Sequence, residues 1–225
     1  GMDAMDELFY WGDIILDEST KLVHIDPIPG RAGRSEPTDV GIVSHCGLGI
    51  QALLDAIKPL LTPEFENEID GRKIEVVAAA TDKRKAFEDS VTAKWDNKPM
   101  TPARMMSELA AALPDNAIVV DDSISNRVTM RHYFQGKKRG DLVAFRGQAI
   151  GGGIGTTMGV QVANPDRPVF GIIGDGSAMM TIQGLWTAAN DNIPCIFVIC
   201  NNGMYRVLRV NFDVYQREIL QLKES

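Results

Sequence analysis

The stretch from Val169 to Gly203 constrains this chain more than any other. Two apolar runs each end in a polar, glycine-bearing loop, with one helical pattern between them. Residues 169–173 and 193–200 have the length and aliphatic content of strands buried on both faces, and residues 181–189 read as the helix joining them. A strand–helix–strand connection within one sheet is parallel and right-handed, which carries both strand ends to the same edge. Neighbouring strands lie about 5 Å apart. The loops Gly174-Asp175-Gly176-Ser177 and Asn201-Asn202-Gly203 are therefore predicted to meet there.

The remainder of the chain fits the same alternation. Residues 21–26 and 40–43 read as short strands, and residues 48–61 as a helix whose Ile50, Leu53, Leu54, Ile57 and Leu61 share one face. Residues 62–100 carry mixed charge with few aliphatics, the pattern of a solvated connector with a helix near 83–94. Thr101 followed by Pro102 is a helix start, and Met105, Leu109 and Leu113 continue it to Pro114. Residues 117–120 form a strand with Asp121-Asp122-Ser123 at its carboxyl end, and the glycine-rich stretch 147–155 leads into a helix over 154–163. The fold class expected is α/β, a doubly wound parallel sheet, preceded by a separate β-α segment. The divisions expected are 1–62, a connector over 63–100, and a binding domain over 101–225.

The formal charge of −7 leaves no basic surplus to neutralise phosphates, which argues against nucleic acid as a partner. No run approaches the roughly 20 apolar residues of a membrane span. The opening residues also lack the basic start and apolar core of a signal peptide. Cys46, Cys195 and Cys200 form no CxxC pair and read as buried, reduced thiols, which suits a cytoplasmic protein. His24, His45 and His132 have no motif around them and read as structural.

At the shared edge, Asp175 and Asn202 can hold one small cation. A carboxylate and an amide oxygen are hard donors, so magnesium is favoured over zinc, and magnesium commonly completes its shell with water and phosphate oxygens. The glycines beside Asp175 permit close approach of a diphosphate, and Ser177 sits where a following helix offers free amides. Either loop alone is a common turn. Their pairing at the tops of adjacent strands is the specific signal.

Gly174-Asp175-Gly176, followed after 24 residues by Asn201-Asn202, resembles the signature of thiamine diphosphate-dependent enzymes. The text around it is similar to the branch containing benzoylformate decarboxylase, pyruvate decarboxylase and acetolactate synthase. It resembles benzoylformate decarboxylase most in residues 172–177 (IIGDGS), 185–189 (LWTAA) and 201–209 (NNGMYRVLR). The likeness is close over about residues 100–210 and looser over 10–60, which the resemblance implies to be the tail of a second α/β domain, the family's middle domain.

The resemblance implies magnesium ligation by Asp175, Asn202 and the main-chain carbonyl of Met204. It places Gly176, Ser177 and Tyr205 against the diphosphate, with Ser123 and Ser125 on the other diphosphate-facing loop. Ile150 aligns with the bulky aliphatic residue that props the cofactor in its V-shape, and the carbonyl of Gln148 with the acceptor of its 4′-amino group. The reaction implied is cofactor-borne carbanion chemistry on a 2-oxo acid, with loss of carbon dioxide and protonation or carboligation of an enamine. Acetolactate synthase is the alternative within the family, and a non-catalytic module that keeps the fold is the alternative outside it. The family's first domain, which supplies the catalytic glutamate, has no counterpart here, nor has the end of the cofactor domain. A homodimer or tetramer partner is expected to supply the pyrimidine-binding face, and the chain alone is expected to bind cofactor weakly without turnover.

Overall fold

Alternation of apolar residues along the central strand explains how the larger part of the molecule is layered. The computed structural model describes residues 16–17, 19–34, 37–134, 140–144 and 149–222. These fall into two units, residues 1–87 and 88–225. In the second unit, β3 (Ile118–Asp122) is buried throughout. Successive side chains of a strand point to opposite faces. Val119 joins Met106, Met130, Phe134 and Ile172 in one core cluster, whereas Ile118 and Val120 join Val169 in another. Two cores, one on each face, are what a doubly covered sheet requires.

The sheet is parallel with order β4-β3-β5-β6, where β4 is Leu142–Ala144, β5 Val169–Gly174 and β6 Ile196–Cys200. From β3 the chain passes through α4 (Arg127–Tyr133) to β4 on one side. It then passes through α5 (Gly153–Ala163) to β5 on the other side of β3. Strand order thus reverses between β3 and β5, and open α/β sheets bind ligands beyond the carboxyl ends at such a reversal. From β5 the chain runs through α6 (Asp175–Met180) and α7 (Gly184–Asn190) into β6. Gly174 pairs with Cys200, so Asp175 and Asn201 each follow a paired residue, as the sequence requires.

α3 (Pro102–Ala112) starts as expected, with the Thr101 hydroxyl accepting a hydrogen bond from the Arg104 amide at 3.3 Å. At the amino ends of the strands, the buried Gln161 receives the Val169 amide at 3.2 Å and donates to the carbonyls of Asn164 and Arg167. Arg167 in turn donates to the carbonyls of Asn116 and Ala117 and to Asp141.

The first unit holds the parallel pair β1 (Val23–Asp26) and β2 (Val40–Val43), then α1 (Cys46–Ile57). The apolar face foreseen on α1 is exposed, Ile50 and Leu54 by about half. The expected connector with a helix over 83–94 is instead one helix, α2 (Pro63–Thr92), and it crosses from one unit into the other. Its charged residues are strong helix formers and its Ala78, Ala79 and Ala80 stand mid-helix, so propensity sustains it without an apolar stripe. Its last turns belong to the second unit, where Glu88 accepts from Tyr133 at 3.2 Å and pairs with His132 at 2.6 Å. No helix among the described residues is long and apolar enough to cross a membrane. The cysteines are free, with Cys200 buried and Cys46 and Cys195 half-buried.

Candidate cofactor site

Two carboxylates end β3, and alternation sends them to opposite faces of the sheet. Asp121 turns toward the α4 side, where it accepts the amide and the hydroxyl of Ser123 at 2.9 and 2.7 Å. Arg127 Nε stands 3.6 Å from its other oxygen. Asp122 turns toward α5, is fully buried, and takes the amides of Gly151 and Gly153 on Oδ2 at 3.2 and 2.8 Å. Burial pushes its carboxyl above the usual range, while those amides and the Ser177 hydroxyl pull the other way.

Gly151 is held from three directions. Its amide also donates to Ser177 Oγ at 3.1 Å, and its carbonyl accepts from Thr181 Oγ1 at 2.7 Å. Its φ of +96° lies where side chains are strained, and a Cβ there would come within 2.7 Å of Met180 Cβ. The residue before it, Ile150, is 40% exposed despite being large and apolar. A bulky aliphatic side chain that the fold presents rather than buries suits a supporting contact with a ligand.

On the neighbouring strands, Asp175 opens α6 directly at the end of β5, and its Oδ2 accepts the Gly203 amide at 2.9 Å. Asn201 Oδ1 shares that amide at 3.0 Å, and Asn202 Oδ1 accepts the Met204 amide at 3.0 Å. The two loops are thus joined, and two side-chain-to-backbone turns fix where the amide oxygens of Asn201 and Asn202 sit. Tyr205 lies over Gly176, where any Cβ would come within 2.6 Å of the ring.

The structure thus brings together Asp175, Gly176, Asn202, Met204 and Tyr205 at one corner, and Ile150 and Ser177 at the adjoining loop. Ser123 is buried with its hydroxyl on Asp121, whereas Ser125 is exposed in the following 3-10 turn. Gln148 lies outside the described residues. Sequence reasoning missed Asp122 and Thr181 as the groups that fix Gly151. The available signal was an acid pair closing an apolar strand, one of which must face a covered side.

The donor set suits a hard cation with a diphosphate: one carboxylate, one oriented amide oxygen and a main-chain carbonyl, beside a glycine that admits close approach. No group of three His, Cys, Asp or Glu gathers to hold a metal among the described residues.

The family model described as thiamine pyrophosphate enzyme, C-terminal TPP binding domain, matches residues 124–219. Over these residues the chain is similar to the cofactor-binding domain of thiamine pyrophosphate enzymes. The chain is similar to the benzoylformate decarboxylase of Pseudomonas aeruginosa, at 29% identity over 194 residues, covering 86% of this chain and 33% of that relative. It is 41% identical over 123 residues to IlvX of Mycobacterium tuberculosis, whose name assigns it provisionally to the acetolactate synthase large subunits; the match covers 52% of this chain and 24% of IlvX. Among solved structures, the thiamine diphosphate-dependent 4-hydroxybenzoylformate decarboxylase of Rhodococcus jostii RHA1 is similar with a TM-score of 0.63 and 26% identity. That likeness covers 93% of this chain and 35% of the decarboxylase. The chain therefore spans about a quarter to a third of the length of these relatives. The residues matched by the family model include both joined loops and the turn at Gly151.

Proposed function

We propose that this chain supplies the diphosphate and magnesium side of a thiamine diphosphate-dependent 2-oxo acid decarboxylase of the benzoylformate decarboxylase kind. The observation that carries the proposal is the joining of the Asp175 and Asn201–Met204 loops through the Gly203 amide, which gathers hard oxygen donors at the carboxyl ends of β5 and β6, beside the strand-order reversal. Asp175, Asn202 and the Met204 carbonyl would hold the cation. Gly176, Ser177, Ser125 and Tyr205 would face the diphosphate, and Ile150 would support the cofactor between its two rings. When bound, thiamine diphosphate supplies the nucleophilic carbon and the electron sink for carbon–carbon bond cleavage. The chain's own residues bind, orient and exclude water. A homodimer or tetramer partner carrying the pyrimidine-binding domain is proposed to supply the other face, and exposed Trp186, Leu208 and Phe212 support such a cover.

Calorimetric titration of the 225-residue protein with thiamine diphosphate tests the cofactor reading. Binding is expected with magnesium and not with EDTA; equal binding in both would sink the metal assignment. Release of carbon dioxide from benzoylformate by the assembled protein tests the reaction. The 41% identity to IlvX over 123 residues favours carboligation as the second reading, and acetolactate formed from pyruvate without net aldehyde would select it.

A further inference from the structure

Asp122 is a costly residue for this fold. It is fully buried, its Oδ1 has no hydrogen-bond partner, and no cation pairs with it among the described residues. Its neighbour Asp121 has Ser123 and Arg127. A buried, unpaired carboxylate weakens a fold unless its hydrogen bonds secure something else. What this one secures is specific: a single oxygen takes two amides two residues apart, those of Gly151 and Gly153. That arrangement curls the backbone around the oxygen, while Thr181 ties the Gly151 carbonyl from the opposite side. The curl leaves Ile150 projecting.

We propose that Asp122 is a positioning residue whose carboxylate, backed by the Thr181 hydroxyl, sets the Gly151–Gly153 turn and thereby the placement of Ile150 beneath a bound cofactor. The inference rests on the cofactor reading for its purpose, but its mechanism is a property of the free chain. Asp122 touches no cofactor in this account and acts only through the turn. Ser177 is part of the same device, because its oxygen accepts the Gly151 amide from α6 and so locks the turn to the helix that Asp175 opens.

Amide-resolved hydrogen exchange on the cofactor-free protein, paired with thiamine diphosphate titration in magnesium, tests this. Asp122→Ala is expected to speed exchange at Gly151 and Gly153 by about tenfold or more, as loss of a charge-assisted acceptor implies. Val120 and Ile172 in the core strands should stay as protected as before, and cofactor affinity should fall in parallel. Asp122→Asn, which keeps one acceptor oxygen, should restore most of both. Thr181→Val, far milder in the core, should loosen the same turn and guards against an Asp122→Ala chain that fails to fold. Unchanged exchange at the two glycines in these variants overturns the inference, as does a uniform loosening that includes β3 and β5. Failure of the parent protein to bind thiamine diphosphate, with the glycines still answering to Asp122, would instead overturn the cofactor reading and leave the turn-setting intact.

Discussion

The two ends of the parallel sheet solve the same problem in opposite ways. At the amino ends, Gln161 and Arg167 satisfy backbone groups of two loops, at Asn116–Ala117 before β3 and at Asn164–Val169 before β5, and Arg167 meets Asp141. At the carboxyl ends lie all the buried side-chain atoms left without a hydrogen bond among the described residues: Asp122 Oδ1 and Arg127 Nε and Nη2. Ile150, Asn202 and Tyr205 are exposed there as well. One end is arranged for stability, and the other tolerates local cost to hold groups where a ligand needs them. Departures from local satisfaction concentrated at one edge are what a binding edge predicts.

The contrast breaks most visibly if each end is mutated and both stability and binding are measured. Asp175→Ala is expected to weaken magnesium-dependent thiamine diphosphate binding by on the order of 100-fold, about 2.7 kcal/mol, with little change in melting temperature. Gln161→Ala should do the reverse. It strands the Val169 amide and the Arg167 carbonyl, at a cost of about 2 kcal/mol in stability, while the Asn164 carbonyl keeps the Arg167 amide. Affinity, measured by calorimetry below the lowered melting point, should hardly move. A loss of binding from Gln161→Ala equal to that from Asp175→Ala would show that the two ends are not separable.

Much of the functional end was legible because its signals are local. The GDG and NN loops, the strands before them and the helix between need only neighbouring residues to be read. The reversal of strand order was not legible. It depends on β4, three residues long with its flanking residues in no recognisable pattern, and on α4, a seven-residue helix too short to show a periodic face. Asp122 escaped for a different reason. Two adjacent acids after an apolar strand look like its solvated end, and only knowledge of which faces are covered shows that the second is sealed beneath the glycine turn. The end of α2 was expected as a helix near 83–94, but its part over 63–82 escaped because sustained propensity, with no buried face, leaves no periodic trace.

The acid limb of stability sharpens the same contrast. With its carboxyl raised by burial, Asp122 keeps its proton in the folded chain at pH values where the unfolded chain has lost it. Stability from this group is therefore full below the ordinary carboxylate range and declines as pH rises through the raised folded value. Asp122→Asn removes that decline, so the variant should gain on the parent as pH rises across this window in urea titrations. A parent–variant difference independent of pH would contradict the burial assigned to Asp122.

The smallest effect is expected at Cys200, where the core meets the carboxyl edge. Burial pushes its thiol up to about 11; Asn126 opposes this, and the charges of Asp121 and Asp175 add to it. At pH 8 only on the order of one thiol in a thousand is then ionised, so Cys200 should resist alkylation in the folded protein and react on unfolding. A magnesium ion on Asp175 would offset one of those two negative charges, and the thiolate fraction should rise by about two- to threefold. Peptide-resolved alkylation with magnesium and thiamine diphosphate present or absent, using Cys200→Ser as the blank, measures this. Faster labelling of Cys200 on loading would place a cation beside Asp175 from inside the core, independently of any binding isotherm. Slower labelling would mean that loading tightens the edge by more than it neutralises, so that the carboxyl end gains order only when filled.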